Sequence, residues 1–119
     1  MTRGEIWLVD FGVPIGSEAG YRRPAVVVQN DDFNESNIAT CTVIPLTSNL
    51  LLAEYTPNVV ISKNDSGLTK DSVAIIPLVT TVNKFAFIEK LSIMPKSYMK
   101  KICKGVIEVL ELKEGLTEK

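Results

Sequence analysis

Tyr21-Arg22-Arg23-Pro24-Ala25-Val26-Val27-Val28-Gln29 passes from two arginines through a proline into an apolar run. Residues 25–29 read as a short strand, closed by the turn-forming Asn30-Asp31-Asp32. Pro24 fixes its own φ and biases Arg23 toward extended backbone, which holds Arg23 at a strand start. Upstream, residues 5–11 carry the aromatic and β-branched content of a strand. Between the two lies residues 12–21, with three glycines and a proline, a long loop for a small protein.

Downstream, residues 38–46 predict a third strand with alternating threonines, and Pro45 is expected at its end or on a sheet edge, because it cannot donate to a ladder. Residues 58–62 predict a fourth strand, 63–67 a turn, 72–79 a fifth strand and 86–93 a short sixth. The period then changes. Pro95 suits a helix start, and Met99, Ile102, Cys103, Val106 and Leu110 fall on one helical face, with Gly115 as a stop. Five or six short strands followed by a helix of about 16–18 residues point to a mainly β fold with α: a small, strongly bent antiparallel barrel with a C-terminal helix.

The 119 residues suit one domain, 1–119, and 45% hydrophobic with 23% charged residues is ordinary globular composition. The chain has no histidine, which excludes Ser-His-Asp and Cys-His nucleophile systems, His-based RNA cleavage and His-ligated metals. Cys41 and Cys103 lie far apart in apolar runs and read as buried thiols of a reducing cytoplasm. No apolar run approaches the 18 or so residues of a membrane span, and a secretory leader is not expected, so the cytoplasm is the expected location. Net charge is −1, so an anionic ligand would have to be met by a local patch.

Arg22 and Arg23 offer two planar forks suited to phosphate, the alternative being a solvated surface pair. Leu46-Thr47-Ser48-Asn49 brings two hydroxyls and an amide to a strand end, where they could donate to an anion or simply form a turn. Asp31-Asp32 reads as a turn, and Lys100, Lys101 and Lys104 as a solvated helix face. Trp7, Phe11, Phe33, Phe85 and Phe87 read as core or interface residues rather than stacking platforms.

Four blocks together resemble the MazF/PemK family of toxin endoribonucleases: residues 3–9 (Arg-Gly-Glu-Ile-Trp-Leu-Val), residues 16–18 through 23–31, residues 43–48 (Val-Ile-Pro-Leu-Thr-Ser) and residues 67–73 (Gly-Leu-Thr-Lys-Asp-Ser-Val). The resemblance implies an SH3-like barrel, a homodimer, and the toxin half of a type II toxin–antitoxin system. It implies metal-independent, sequence-specific cleavage of single-stranded RNA to 2′,3′-cyclic phosphate and 5′-hydroxyl ends, with no cofactor and with a cognate antitoxin as partner. It assigns catalysis to Arg23 and Thr47, with Ser17, Glu18, Tyr21, Arg22, Ser48 and Asn49 as RNA-binding candidates and Glu18 as a candidate base. A guanidinium stays protonated at neutral pH, so Arg23 suits a phosphate clamp and proton donor better than a base. Where family members carry polar fifth-strand residues, this chain reads Ile75-Ile76-Pro77-Leu78 and then Thr80-Thr81-Val82-Asn83, so its base-recognition pocket is expected to differ. Two other readings share the fold: a CcdB-like gyrase-poisoning toxin, acting through the C-terminal helix rather than Arg23 and Thr47, and a weakened MazF-like protein that only binds RNA or antitoxin.

Overall fold

A computed structural model describes residues 1–13, 16 and 20–113. Its antiparallel sheet contains β1 (Glu5–Asp10), β2 (Arg22–Val27), β3 (Thr40–Thr47), β4 (Val59–Ile61), β5 (Ser72–Ala74), β6 (Thr80–Asn83) and β7 (Phe87–Ile93). The order is β4-β5-β3-β2-β1-β7, with β6 also paired to β3. Three helices join them: α1 (Asp31–Asn34), α2 (Lys63–Ser66) and the C-terminal α3 (Lys96–Leu110). The expected antiparallel β architecture with a C-terminal helix is therefore present.

The apolar run of β2 is explained by burial on both faces. Val26 packs with Ile6, Ile44, Leu46 and Ile102 in a core under α3. Its neighbours Ala25 and Val27 pack with Val9, Cys41 and Val43 in a second core, flanked by Trp7, Phe11 and Phe87. Successive strand residues point to opposite faces, so a central strand covered on both sides needs an unbroken apolar stretch. The Trp7 and Phe87 rings meet edge to face, with centroids 5.6 Å apart.

Several sequence expectations are corrected. Strand β2 starts at Arg22, so both arginines and Pro24 lie within it, Pro24 opposite Leu8. Pro45 is neither terminal nor at an edge: it is buried inside β3, opposite Ala25 of β2. On its other side β3 changes partner, from β6 at residues 40–43 to β5 at residues 46–47. The Pro45 carbonyl accepts from Ile75 N at 3.1 Å. A strand residue's N and O point the same way, so the missing donor falls at this changeover, where the sheet asks for none.

The single strand expected over 72–79 is instead β5, a 3-10 turn over Ile76–Leu78, and β6. Pro77 sits in that turn, closed by Leu78 N to Ile75 O and Val79 N to Ile76 O. The expected turns at 31–32 and 63–67 hold one-turn helices, capped by the side chains of Asn30 and Ser62. Helix α3 has 15 residues with Pro95 as N-cap, and Gly115 lies outside the described residues. Its buried stripe is Met99, Ile102 and Gly105, with Val106 and Val109 partly buried, whereas Leu110 is exposed.

Cys41 is fully buried, which pushes its thiol up to about 11. Cys103 is only half-buried and its sulfur accepts from Arg3 Nη2 at 2.7 Å, contrary to the expectation of two buried thiols. Phe33 and Phe85 are exposed and lie outside both cores. No described helix is long and apolar enough to cross a membrane.

Candidate functional site

The β2–β3 register pairs Ala25 with Pro45. That is the last pair of the ladder; Arg23 and Thr47 lie two residues beyond it, Arg23 opposite Val9 of β1 and Thr47 opposite Val73 of β5. Arg23 and Thr47 both line a cleft of about 510 Å³ together with Ser48, Thr69, Lys70 and Ser72, over a floor that includes Pro24, Leu46, Leu68 and Leu91. These are the two residues to which the family resemblance assigns catalysis, and the fold sets both in one cleft.

Each polar group is held by the local chain. Arg23 is half-buried, its Nε donates to Gly20 O at 3.2 Å, and no hydrogen bond among the described residues uses either Nη. Thr47 stays within the ladder, opposite Val73 of β5. Its Oγ1 accepts from Asn49 N at 3.2 Å, and no hydrogen bond among the described residues uses its proton. A hydroxyl carries one donor, so Thr47 can present that proton to an anion.

The segment before β5 is equally fixed. Gly67 caps α2 in the left-handed region at φ 77°. Leu68 N donates to Ser66 Oγ at 3.1 Å, and Ser92 Oγ of β7 donates to Ser66 O. Asp71 turns away from the cleft and accepts from Lys63 N at 2.8 Å, while Ser72 Oγ donates to Lys70 O at 3.3 Å. Thr69, Lys70 and Ser72 line the cleft and Asp71 does not. Among the described residues the lining contains two cations, four hydroxyls and no carboxylate. In a chain of net charge −1, that is a local cationic patch.

Other predicted binding residues fall elsewhere. Arg22, adjacent to Arg23 on the strand, lines a separate depression with Asp10, Phe11, Asn83, Phe85 and Ile88. Its Nε stands 3.9 Å from Asp10 Oδ2, an exposed and weak pair. Tyr21 is 64% exposed with φ 59° and does not line the cleft. Asn49 is spent as a cap, its Oδ1 accepting from Leu51 N at 3.2 Å. Ser17 and Glu18 lie outside the described residues. Thr69, Lys70 and Ser72 carried no assigned role in the sequence; their signal was a hydroxyl–cation–hydroxyl pattern, broken by one acid, just before a strand. The apolar replacement at 75–83 forms another hollow of about 360 Å³, lined by Phe11, Pro77, Leu78 and residues 79–82.

Fold and cleft together define a small antiparallel β protein with a cationic, hydroxyl-lined cleft shared by Arg23 of β2 and Thr47 of β3. Residues 2–110 match the family described as PemK-like, MazF-like toxin of type II toxin-antitoxin system. Endoribonuclease MazF6 of Mycobacterium tuberculosis H37Rv is 35% identical over 112 residues, covering 94% of this chain and 98% of that protein. Endoribonuclease MazF of Staphylococcus saprophyticus is 34% identical over 102 residues, covering 86% and 84%. The chain belongs to the PemK/MazF toxin family. Among solved structures, MazF from Deinococcus radiodurans superposes with a TM-score of 0.79 at 20% identity, covering 93% of this chain and 96% of that one. A mycobacterial endoribonuclease in complex with its cognate antitoxin gives 0.73 at 21%, covering 94% and 96%. These two similarities show the shared fold.

Proposed function

We propose that this chain is the toxin of a type II toxin–antitoxin pair and a metal-independent endoribonuclease of single-stranded RNA. The observation that supports the reading is that Arg23 and Thr47 line one cleft, whose lining among the described residues holds no carboxylate. In the reaction, a ribose 2′-oxygen attacks the phosphorus at its own 3′-position and the P–O5′ bond breaks. The 2′-hydroxyl proton is lost and the departing 5′-oxygen gains one. The products carry a 2′,3′-cyclic phosphate and a 5′-hydroxyl.

No covalent enzyme intermediate is needed, so the protein's task is to hold the strand and to stabilise charge on the phosphorane oxygens. The Nη groups of Arg23 and the Thr47 hydroxyl are donors of that kind, each worth about 10²–10³ in rate. A cleft whose described lining has no carboxylate, in a chain without histidine, offers poor ligands to a divalent cation. The Arg23–Thr47 pair also favours this reading over a gyrase poison acting through the C-terminal helix. One toxin domain across 1–119, working as a homodimer in the cytoplasm and restrained by a cognate antitoxin, completes the proposal.

The test is incubation of the purified protein with mixed-sequence RNA in EDTA, followed by end-group analysis and sedimentation. Cleavage to cyclic phosphate and 5′-hydroxyl ends by a dimer is expected. Activity abolished by chelator and restored by magnesium or manganese would refute the metal-independent mechanism, and a monomer at micromolar concentration would refute the dimer.

A further inference from the structure

Lys70 is a second cation in the cleft, and nothing in the reaction as derived above uses it. The sheet order β5-β3-β2 places the cleft's polar groups in sequence across the strand ends. Arg23 belongs to β2, Thr47 to β3, and Lys70 to the segment entering β5. Arg23 and Thr47 line the same cleft and can grip one phosphate between them. Lys70 lies beyond Thr47, on the side away from Arg23. Adjacent strands are about 4.8 Å apart, so an RNA strand crossing the strand ends meets Arg23, then Thr47, then Lys70.

We propose that Lys70 binds the backbone phosphate next to the one cleaved, and so sets how the RNA strand is threaded through the cleft. The proposal rests on the endoribonuclease reading and adds a subsite to it. The backbone of Lys70 is held on its C-terminal side: Ser72 Oγ donates to its carbonyl, and the next residue, Asp71, accepts from Lys63 N of α2. Its ammonium has no hydrogen bond or ion pair among the described residues, and the residue is exposed at the cleft. A hydrated point charge on a flexible stem suits holding a phosphate in solvent, whereas the planar fork of Arg23 suits a fixed geometry. The roles therefore divide, with Arg23 and Thr47 acting on the reacting phosphate and Lys70 on its neighbour.

The experiment compares unaltered protein, Lys70→Ala and Lys70→Arg. Binding is measured to mixed-sequence 2′-O-methyl RNA, which cannot undergo 2′-attack, across a range of salt concentrations. Steady-state cleavage is measured on unmodified RNA. Lys70→Ala should weaken binding several-fold and reduce the slope of log K against log salt by about 0.7, the value of one single-strand phosphate contact. The loss should appear in KM, with kcat changing less than twofold, and Lys70→Arg should restore both slope and KM. An unchanged salt slope, or a fall in kcat at constant KM, would overturn the proposal. Failure of the unaltered protein to cleave RNA would count against the endoribonuclease reading, while the binding slopes would still judge Lys70.

Discussion

Replacing Arg23 by Ala removes two kinds of interaction, and the structure separates their sizes. At the reacting phosphate the protein loses the donors of one guanidinium, for which about 10²–10³ in kcat is expected. In the fold it loses one half-buried hydrogen bond, Nε to Gly20 O at 3.2 Å, worth a net ~0.5–1.5 kcal/mol. That corresponds to a few degrees in melting temperature for a domain of this size. Arg22→Ala is the matched control one residue away. It removes an equal charge, but from a different depression and from an exposed pair at 3.9 Å worth ~0–1 kcal/mol. Initial rates at saturating RNA in EDTA, with melting followed through the sole tryptophan, Trp7, would read both effects. Arg23→Ala should lose two to three orders of magnitude in turnover, and Arg23→Lys should recover only part, because an ammonium cannot replace a fork. Arg22→Ala should keep its turnover and show mainly a shallower salt dependence. Wild-type turnover in Arg23→Ala, or a deeper lesion in Arg22→Ala, would refute this placement of the catalytic fork.

Thr47→Ala should likewise cost about 10² or more in kcat with little change in melting, since Oγ1 accepts only one hydrogen bond at 3.2 Å; a loss confined to KM would remove it from the transition state. Gly105→Ala should not show the ~1 kcal/mol gain of a glycine-to-alanine change in a helix. An added Cβ would lie 3.2 Å from Ile76 Cγ1 and 3.3 Å from Pro57 O, so a net loss is expected in urea unfolding, and clear stabilisation would contradict the close approach. Stability should also fall in acid. Burial raises the carboxyl of Glu5, but bonds from Trp7 Nε1, Thr2 N and Lys90 outweigh it and hold the group below its ordinary 4.5. Asp31, bonded by Arg3 N at 2.7 Å and Asn34 Nδ2, is held below 3.8. Carboxyls depressed in the folded state contribute their stability above the unfolded values and lose it as pH falls through the folded ones. The urea midpoint should therefore drop as pH falls from about 5 to 3, and less steeply in Glu5→Gln; a flat profile would refute the assignment.

The amino-acid sequence alone determined those features that depend on near neighbours. The apolar run at 25–29 marked a central strand, the 3.6-residue period after Pro95 marked α3, and the absence of histidine removed whole classes of chemistry. Arg23 and Thr47 were legible through their family blocks, since Arg-Pro and Pro-Leu-Thr-Ser are contiguous motifs. What depended on pairing between distant segments was decided by the tertiary structure. Pro45 was expected at an edge because a proline lacks a donor, but only the change of partner from β6 to β5 shows that no donor is needed there. The same change of partner breaks residues 72–79 into a strand, a turn and another strand. Arg22 and Arg23 are adjacent in the sequence, yet they line different clefts. Lys70 had no role assigned from the sequence, and the structure sets it in the lining of the cleft. At Gly105, α3 comes so close to Ile76 and Pro57 that a Cβ there would crowd both. A side chain's chemistry is local, but its partner is chosen by register and packing across the whole chain, and for this protein that choice made the site.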